Sequence, residues 1–188
     1  RDAVDAGFDS IMFDGSKGSY EDNIKTTNEV KNYLKGQLLE AEIGKIGGEE
    51  DGIANELYFT SVEEAEDFIS KTNIDMLAPA LGSVHGIYKG EPDIKLDIMK
   101  EISDKTNMPL VLHGGSGIPE ETLKQAVQNG ICKANFNTEL QIAWNNAVRD
   151  KMKTDSAYDP RKVIKMGEDA LKECVRIKCE LLGSINKA

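Results

Sequence analysis

The chain has 188 residues, 39% hydrophobic and 30% charged, which is typical of a soluble globular domain with a sizeable core. No apolar run approaches the roughly 18–20 residues of a membrane span, and no basic and then apolar leader opens the chain. The net charge of −10 argues against a nucleic-acid-binding or anionic-membrane-binding surface. An anionic substrate therefore needs a local positive site.

The N-terminal part predicts two strands. Residues 1–7 read as the end of a helix that has no start signal, so we expect an earlier part of the fold to precede them. A strand over residues 8–14 ends in Asp14, and a helix follows from Ser19 to about residue 35. The second strand, residues 37–43, carries Glu40 and Glu42, and we expect residues 45–55 to form a loop rich in glycine and acid.

The rest of the chain predicts three more strands, each followed by a helix. Thr60 and Glu63 resemble a capping box at the start of an amphipathic helix. A strand over residues 74–81 leads to His85, and a helix follows from about residue 94 to 107. The short strand 110–112 ends in His113, and strand 131–136 precedes two long helices that end near residue 182.

Five strands alternating with helices suit right-handed β–α–β crossovers and predict an α/β fold. We interpret this fold as a TIM (β/α)8 barrel. A complete barrel of eight strands needs about 250 residues. Residues 1–188 are therefore predicted to form a single partial barrel domain, made of about the last five β–α units. The alternative is an open parallel sheet that is complete as it stands.

Each predicted strand ends at or just before a polar residue. The C-terminal ends of the strands lie on one face of a parallel α/β fold. The polar residues are Asp14, Glu42, His85, His113 and Asn135. Both histidines of the chain follow apolar strands and precede glycine, which favours a metal site over two surface histidines in tight turns. A catalytic zinc usually has three protein ligands, and Asp14, Glu42, Glu50 or a histidine outside this chain are the candidates for the third. Glu42 is alternatively a buried, ion-paired carboxylate.

Two small-residue loops predict an anion site. Residues 114–117 (Gly-Gly-Ser-Gly) and 135–138 (Asn-Phe-Asn-Thr) follow the last two strands, where TIM barrels commonly bind a phosphate on backbone N–H groups and a helix N-terminus. Lys89 and Lys133 add positive charge there. Cys132, Cys174 and Cys179 are odd in number and contain no CxxC pair, so we expect reduced thiols in a cytoplasmic protein and no catalytic role for them.

Several spaced motifs together resemble the class II fructose/tagatose-bisphosphate aldolase family. They are His85-Gly86 with Tyr88-Lys89-Gly90, His113-Gly-Gly-Ser-Gly117, Glu40-Ala-Glu-Ile-Gly44 with Gly47-Gly-Glu-Glu-Asp51, Asn135-Phe-Asn-Thr-Glu139, Asp14-Gly15-Ser16, Asp159-Pro-Arg161 and Gly183-Ser184. The resemblance covers essentially the whole chain. It implies a Zn²⁺-dependent TIM barrel that joins or cleaves dihydroxyacetone phosphate and an aldehyde, with a phosphorylated ketose as substrate and a homodimer or homotetramer as the assembly.

The resemblance also implies roles for individual residues. His85 and His113 are two of three zinc histidines, Glu50 takes part in proton transfer from a flexible loop, and Asp14 and Glu42 hold a second metal in part of the family. The implied substrate-binding residues are Gly86, Lys89, Gly114, Gly115, Ser116, Asn135, Phe136, Asn137 and Thr138.

This chain lacks the family's His-x-Asp-His motif, which carries the first zinc histidine and the principal catalytic aspartate. We therefore expect the chain made alone to be inactive and to associate. Two other functions stay open: a Schiff-base aldolase that uses Lys133, and a non-catalytic phosphosugar-binding partial barrel.

Overall fold

A computed structural model describes residues 1–50, 53–55, 57–154 and 159–187, without the side chains of residues 49, 50, 53–55 and 154. The helices are α1 (Asp2–Asp5), α2 (Tyr20–Tyr33), α3 (Val62–Lys71), α4 (Leu96–Thr106), α5 (Glu120–Gln128), α6 (Thr138–Thr154) and α7 (Pro160–Leu181). The strands are β1 (Ser10–Asp14), β2 (Leu38–Ile43), β3 (Gly47–Glu50), β4 (Ile53–Asn55), β5 (Met76–Pro79), β6 (Val84–His85), β7 (Leu110–Leu112) and β8 (Ile131–Ala134).

The main sheet has five parallel strands in the order β1-β2-β5-β7-β8, which is also their order along the chain. Each new strand is therefore added beside the previous one after a helical crossover, as in a barrel. The predicted α/β class and the five main strands are confirmed. The sheet is open, with β1 at one edge and β8 at the other.

The core lies between this sheet and the helices. Leu39, Ala41 and Ile43 alternate along β2 and pack into a buried apolar cluster with Phe68 of α3 and Met99 of α4. Side chains alternate between the two faces of a strand, so Glu40 and Glu42 point to the opposite face, where they contact His113. No helix in the described part of the chain is long and apolar enough to span a membrane.

Residues 45–55 contain strands where a loop is predicted. β3 pairs with β4 as an antiparallel hairpin and with β6 in parallel, which gives a second, three-stranded sheet in the order β4-β3-β6. Glycine permits this pairing: Gly48 has φ +96°, and a Cβ there would lie 2.1 Å from the carbonyl oxygen of His85. The glycines that suggested a loop therefore allow close strand contact instead.

The start of α3 also differs from its prediction, by one residue. Ser61 is the N-cap: its hydroxyl accepts from the Glu64 N–H, and the Glu64 carboxylate accepts from the Ser61 N–H. Thr60 is buried, donates to the Ile43 carbonyl at 3.0 Å and accepts from the Ala80 N–H at 3.0 Å. Its hydroxyl thus joins β2 to the end of β5 and is unavailable as a helix cap.

Candidate active site

A cavity of about 700 Å³ opens at the C-terminal ends of the main strands. It is lined by Met12, Asp14, His85, His113, Gly114, Ser116, Lys133, Ala134, Asn135, Phe136, Asn137 and Thr138. The structure therefore brings most of the predicted site residues to one place. Of the predicted residues with described side chains, Glu42, Gly86, Lys89 and Gly115 do not line the cavity. The side chain of Glu50 lies outside the described part of the structure.

His113 lies between two carboxylates of β2. Its Nε2 is 2.9 Å from Glu40 Oε1, and its Nδ1 is 3.2 Å from Glu42 Oε2. Both carboxylates reach the imidazole because they are two residues apart and share a strand face. All three side chains are buried. Glu42 is thus an ion-paired buried carboxylate as well as a candidate metal ligand.

The local charges favour a protonated His113 when no metal is present. Burial disfavours the imidazolium, but the hydrogen bonds and charges of Glu40 and Glu42 outweigh burial and raise the pKa of His113 to about 9. Burial likewise opposes ionisation of Glu40, yet the hydrogen bonds from His113 and Lys133 hold the pKa of this carboxyl below its ordinary value. The site is therefore a network of paired charges.

Lys133 belongs to this network. Its Nζ donates to Glu40 Oε2 at 2.6 Å, while His113 occupies the other oxygen of the same carboxylate. An ammonium group in an ion pair with a buried carboxylate is a poor nucleophile, because Schiff-base formation needs the neutral amine. The geometry gives Lys133 an electrostatic role beside the cavity.

His85 lies across the cavity from His113, but it does not end a strand of the main sheet as predicted. β5 ends at Pro79, and His85 lies in β6 of the small sheet. The two imidazole centroids are 6.2 Å apart, with an angle of 31° between the rings. The predicted convergence of the two histidines is present, and it joins two different sheets.

Tyr88 connects the loops that carry the two histidines. Its hydroxyl accepts from the Val84 N–H at 3.1 Å and donates to the Gly114 carbonyl at 3.0 Å. Burial raises the pKa of the Tyr88 hydroxyl, so it stays protonated and can donate. Gly114 has φ +64°, and a Cβ there would be 2.4 Å from the Val84 carbonyl oxygen, so only glycine fits this contact.

The residues that fit an anion lie at the start of α6. Asn137 and Glu139 donate their N–H groups to Ser116 Oγ at 3.2 and 3.3 Å, and the Gly115 N–H donates to the Asn135 carbonyl at 2.9 Å. The first N–H groups of a helix have no partner within it, and Thr138 begins α6 beside the cavity. The Ser116 hydroxyl therefore already accepts hydrogen bonds from two N–H groups at the predicted phosphate site.

The donors at the cavity fit a zinc ion in part. Two imidazoles on one tetrahedral zinc have ring centroids roughly 5 Å apart, so the observed 6.2 Å is about one ångström wider. Zinc-bound histidines commonly pair their second nitrogen with a carboxylate, as His113 does with Glu40. Among the described residues, no group of three histidine, cysteine or acidic side chains is arranged to hold a metal. His85 and His113 fit as two ligands of a set that needs a third.

Asp14 lies in the cavity wall, where its Oδ1 accepts from the Ser16 N–H at 2.8 Å. The Ser16 hydroxyl is 3.4 Å from Glu42 Oε1, so Asp14 and Glu42 belong to one polar cluster. Lys89 is exposed and lies outside the cavity lining.

Glu40 and Tyr88 contribute to the site but have no role predicted from the sequence. The signal for Glu40 is the spacing of two carboxylates, two residues apart, in an otherwise apolar strand, which places both on one face. Tyr88 has no comparable signal, because its contact with Gly114 depends on how two distant loops meet.

Comparison with known proteins places these features in a family. The sequence model described as "Fructose-bisphosphate aldolase class-II" matches residues 1–187. The chain is 46% identical over 192 residues to a fructose-bisphosphate aldolase of Staphylococcus aureus. This alignment covers 100% of the present chain and 67% of that relative. It is 47% identical over 190 residues to a fructose-bisphosphate aldolase of Geobacillus stearothermophilus, with coverage of 99% and 66%.

A solved structure supports the same relationship. The crystal structure of the YdjI aldolase from Escherichia coli K12 matches with a TM-score of 0.85 and 34% identity, over 99% of this chain and 65% of that one. The chain thus spans about two thirds of the length of these relatives. The five-stranded sheet is accordingly part of a (β/α)8 barrel, and the alternative of a complete open sheet is wrong.

Proposed function

The chain belongs to the class II fructose-bisphosphate aldolase family, and from that membership we propose that its barrel cleaves a ketose 1,6-bisphosphate reversibly. The products are dihydroxyacetone phosphate and glyceraldehyde 3-phosphate, and the ketose is the fructose or the tagatose compound. The observation that carries the proposal is the cavity in which His85, His113 and the start of α6 meet. It combines two candidate metal ligands with a candidate anion site.

His85 and His113 hold the zinc ion in this proposal. Glu42, Asp14, Glu50 or a histidine from the remaining third of the barrel supplies the third ligand, and Asp14 and Glu42 are also the candidate ligands of a second metal. Bound zinc supplies positive charge that stabilises the negative charge developing on the substrate oxygens. Glu40 positions His113, because it occupies Nε2 and leaves Nδ1 facing the cluster that contains Glu42.

The phosphate of dihydroxyacetone phosphate binds at the start of α6. Thr138, Asn137, Ser116 and Gly114 line this end of the cavity, with Gly115 in the same loop, and the helix N-terminus favours the anion. Asn135 and Phe136 border the reacting end, while Gly86 and Lys89 belong to the neighbouring loop. Binding the remote phosphate holds the reacting carbon in place, so a substrate without it loses turnover as well as affinity.

Proton transfer is divided between two acids in this proposal. Glu50 is the acid of this chain, and the family's principal catalytic aspartate belongs to the His-x-Asp-His motif, which this sequence does not contain. The 188-residue chain by itself is therefore inactive. We also propose a cytoplasmic location, in which Cys132, Cys174 and Cys179 stay reduced, and a homodimeric or homotetrameric assembly.

A chimera tests the reaction. The N-terminal third of the Staphylococcus aureus relative, joined to this chain, should cleave fructose 1,6-bisphosphate and lose that activity when a chelator removes the metal. His85→Ala and His113→Ala should each lose bound zinc, measured by metal analysis, together with activity. Cleavage that persists without metal and is blocked by borohydride would instead establish Schiff-base chemistry at Lys133. Phosphosugar binding without turnover in the chimera would establish the non-catalytic alternative.

A further inference from the structure

Glu139, in the first turn of α6, joins three elements around the anion site. Its Oε1 accepts from the Gly117 N–H at 2.7 Å, and its Oε2 is 2.6 Å from Nζ of Lys178 on α7. The Glu139 N–H donates to Ser116 Oγ, so both its backbone and its side chain hold the loop of residues 114–117. One residue therefore connects this loop, the start of α6 and the C-terminal helix.

The position of this carboxylate creates an electrostatic conflict. Glu139 is adjacent to Thr138 and contacts the loop that borders the cavity, so its negative charge repels an anion bound there. The Lys178 ammonium offsets this charge. The pair is largely shielded from water, with side-chain exposures of 15% for Lys178 and 27% for Glu139, so it is screened less than a surface pair.

Lys178 is held at this position from a second side. Its Nζ lies 5.1 Å from the centroid of the Phe136 ring, and Phe136 separates the cavity from a groove between β8 and α7 that Lys178 lines. The Lys178 ammonium therefore lies on the far side of the Phe136 ring from the cavity and does not line the cavity itself.

Resting on the proposed function, we propose that Glu139 and Lys178 are a positioning pair for phosphate binding. Glu139 holds Gly117 at φ +88° and so fixes the loop on its α6 side, while Tyr88 fixes the other end through Gly114. The Lys178 ammonium offsets the negative charge that the Glu139 carboxylate places beside this loop. The pair therefore supplies a rigid loop without a net negative charge beside the anion.

Removing each charge separately distinguishes this role from a purely structural one. Lys178→Met leaves the carboxylate uncompensated and should weaken the binding of inorganic phosphate about 3- to 10-fold. Glu139→Gln keeps an oxygen for the Gly117 N–H, leaves the ammonium uncompensated, and should strengthen phosphate binding by a similar factor. The double variant should return to within about 2-fold of the unchanged chain, because its charges again balance.

Binding is measured on the metal-free chimera described above by titrating inorganic phosphate and following the amide resonances of residues 114–117. Lys172→Met is the matched control, since it removes the same charge from an exposed pair with Glu168 on the same helix and should change affinity less than 2-fold. Lys178→Arg, which keeps the charge, should bind phosphate as the unchanged chain does. If Lys178→Met does not fold, the expected stronger phosphate binding of Glu139→Gln still tests the proposal.

Equal losses in Lys178→Met and Glu139→Gln would show a structural role and overturn the proposal, as would no change in either. Absence of phosphate binding to the chimera with both residues unchanged would overturn it as well. The proposed reaction is tested separately: a chimera that fails to cleave the bisphosphate would refute the reaction and leave the phosphate comparison to decide the role of this pair.

Discussion

Replacing Glu40 with glutamine tests the electrostatic network around His113. The substitution keeps the size of the buried side chain and an oxygen facing Nε2, and it removes one of the two negative charges that hold the imidazole. In the metal-free chain we expect His113 to become easier to deprotonate. Zinc binding requires the neutral ring, so this change also alters how strongly protons compete with the metal.

The size of the effect follows from the raised pKa of His113. A rise from 6.5 to about 9 corresponds to roughly 3 kcal/mol in favour of the protonated ring, at about 1.36 kcal/mol per pH unit. Glu40 and Glu42 are at similar distances, 2.9 and 3.2 Å, so they share this stabilisation. We therefore expect Glu40→Gln to lower the pKa of His113 by roughly one pH unit or more.

The sign of the effect on stability follows from the same values. The pKa of His113 is higher in the folded chain than in the unfolded chain, so its contribution is fully present below pH 6.5 and is lost as the pH rises through about 9. In urea unfolding without metal, deprotonation of His113 between pH 6.5 and about 9 should lower the free energy of unfolding by roughly 3 kcal/mol. Glu40→Gln should flatten this dependence.

Histidine-selective NMR measures the pKa directly, because the chain has only two histidines and His85→Gln assigns the signals. Chelator is present throughout. Asp14→Asn is the control, since it removes a negative charge from the same cavity outside the His113 ion pairs. A pKa of His113 at or below 6.5 in the unchanged chain, or an unchanged pKa in Glu40→Gln, would contradict the stabilisation of the imidazolium by Glu40.

Three further predictions concern the scaffold of the site, each measured by urea unfolding. Gly167→Ala should destabilise the chain by about 1–3 kcal/mol, because its Cβ would lie 2.0 Å from Trp144 Nε1 between α6 and α7. Ser61→Ala should cost about 1 kcal/mol by removing the α3 capping box. Burial opposes ionisation of Asp75, but the Lys31 hydrogen bond at 2.6 Å helps to hold its pKa below 3.8, so Asp75→Asn should cost about 1–2 kcal/mol at pH 7.

Each of these predictions has a contrary outcome. An unchanged unfolding midpoint in Gly167→Ala would show that Trp144 can move without loss. Unchanged stability in Ser61→Ala would contradict the contribution of the capping box. The Asp75 contribution is present above pH 3.8 and lost as the pH falls through the lowered folded value, so a gap that widens in acid would contradict its sign.

The sequence predicts the main sheet well because its signals are local. Apolar strands followed by glycine or a helix cap identify β1, β2, β5, β7 and β8 one at a time, and their parallel order follows from the helices between them. The same local reasoning places His113 and Asn135 directly after their strands. It fails at residues 45–55, where the glycines permit the strand pairing of Gly48 with His85.

The parts of the site that escaped prediction depend on contacts between distant residues. The pairing of Glu40 with Lys133 joins β2 to β8, and the contact of Glu139 with Lys178 joins α6 to α7. A single sequence contains no periodicity that reports such pairs. His85 and His113 could be recognised as a candidate pair by their position after apolar strands, but the carboxylate partners of His113 could be located only once the strands were set side by side.

The placement of His85 in the small sheet has a consequence for engineering the site. His113 is fixed by the main sheet, whereas His85 is paired through its backbone to Gly48 of the β3–β4 hairpin. The separation of the two imidazoles therefore depends on how the small sheet lies against the main sheet. A side chain introduced at Gly48, where a Cβ would lie 2.1 Å from the His85 carbonyl oxygen, should change the distance between the two rings without altering either histidine.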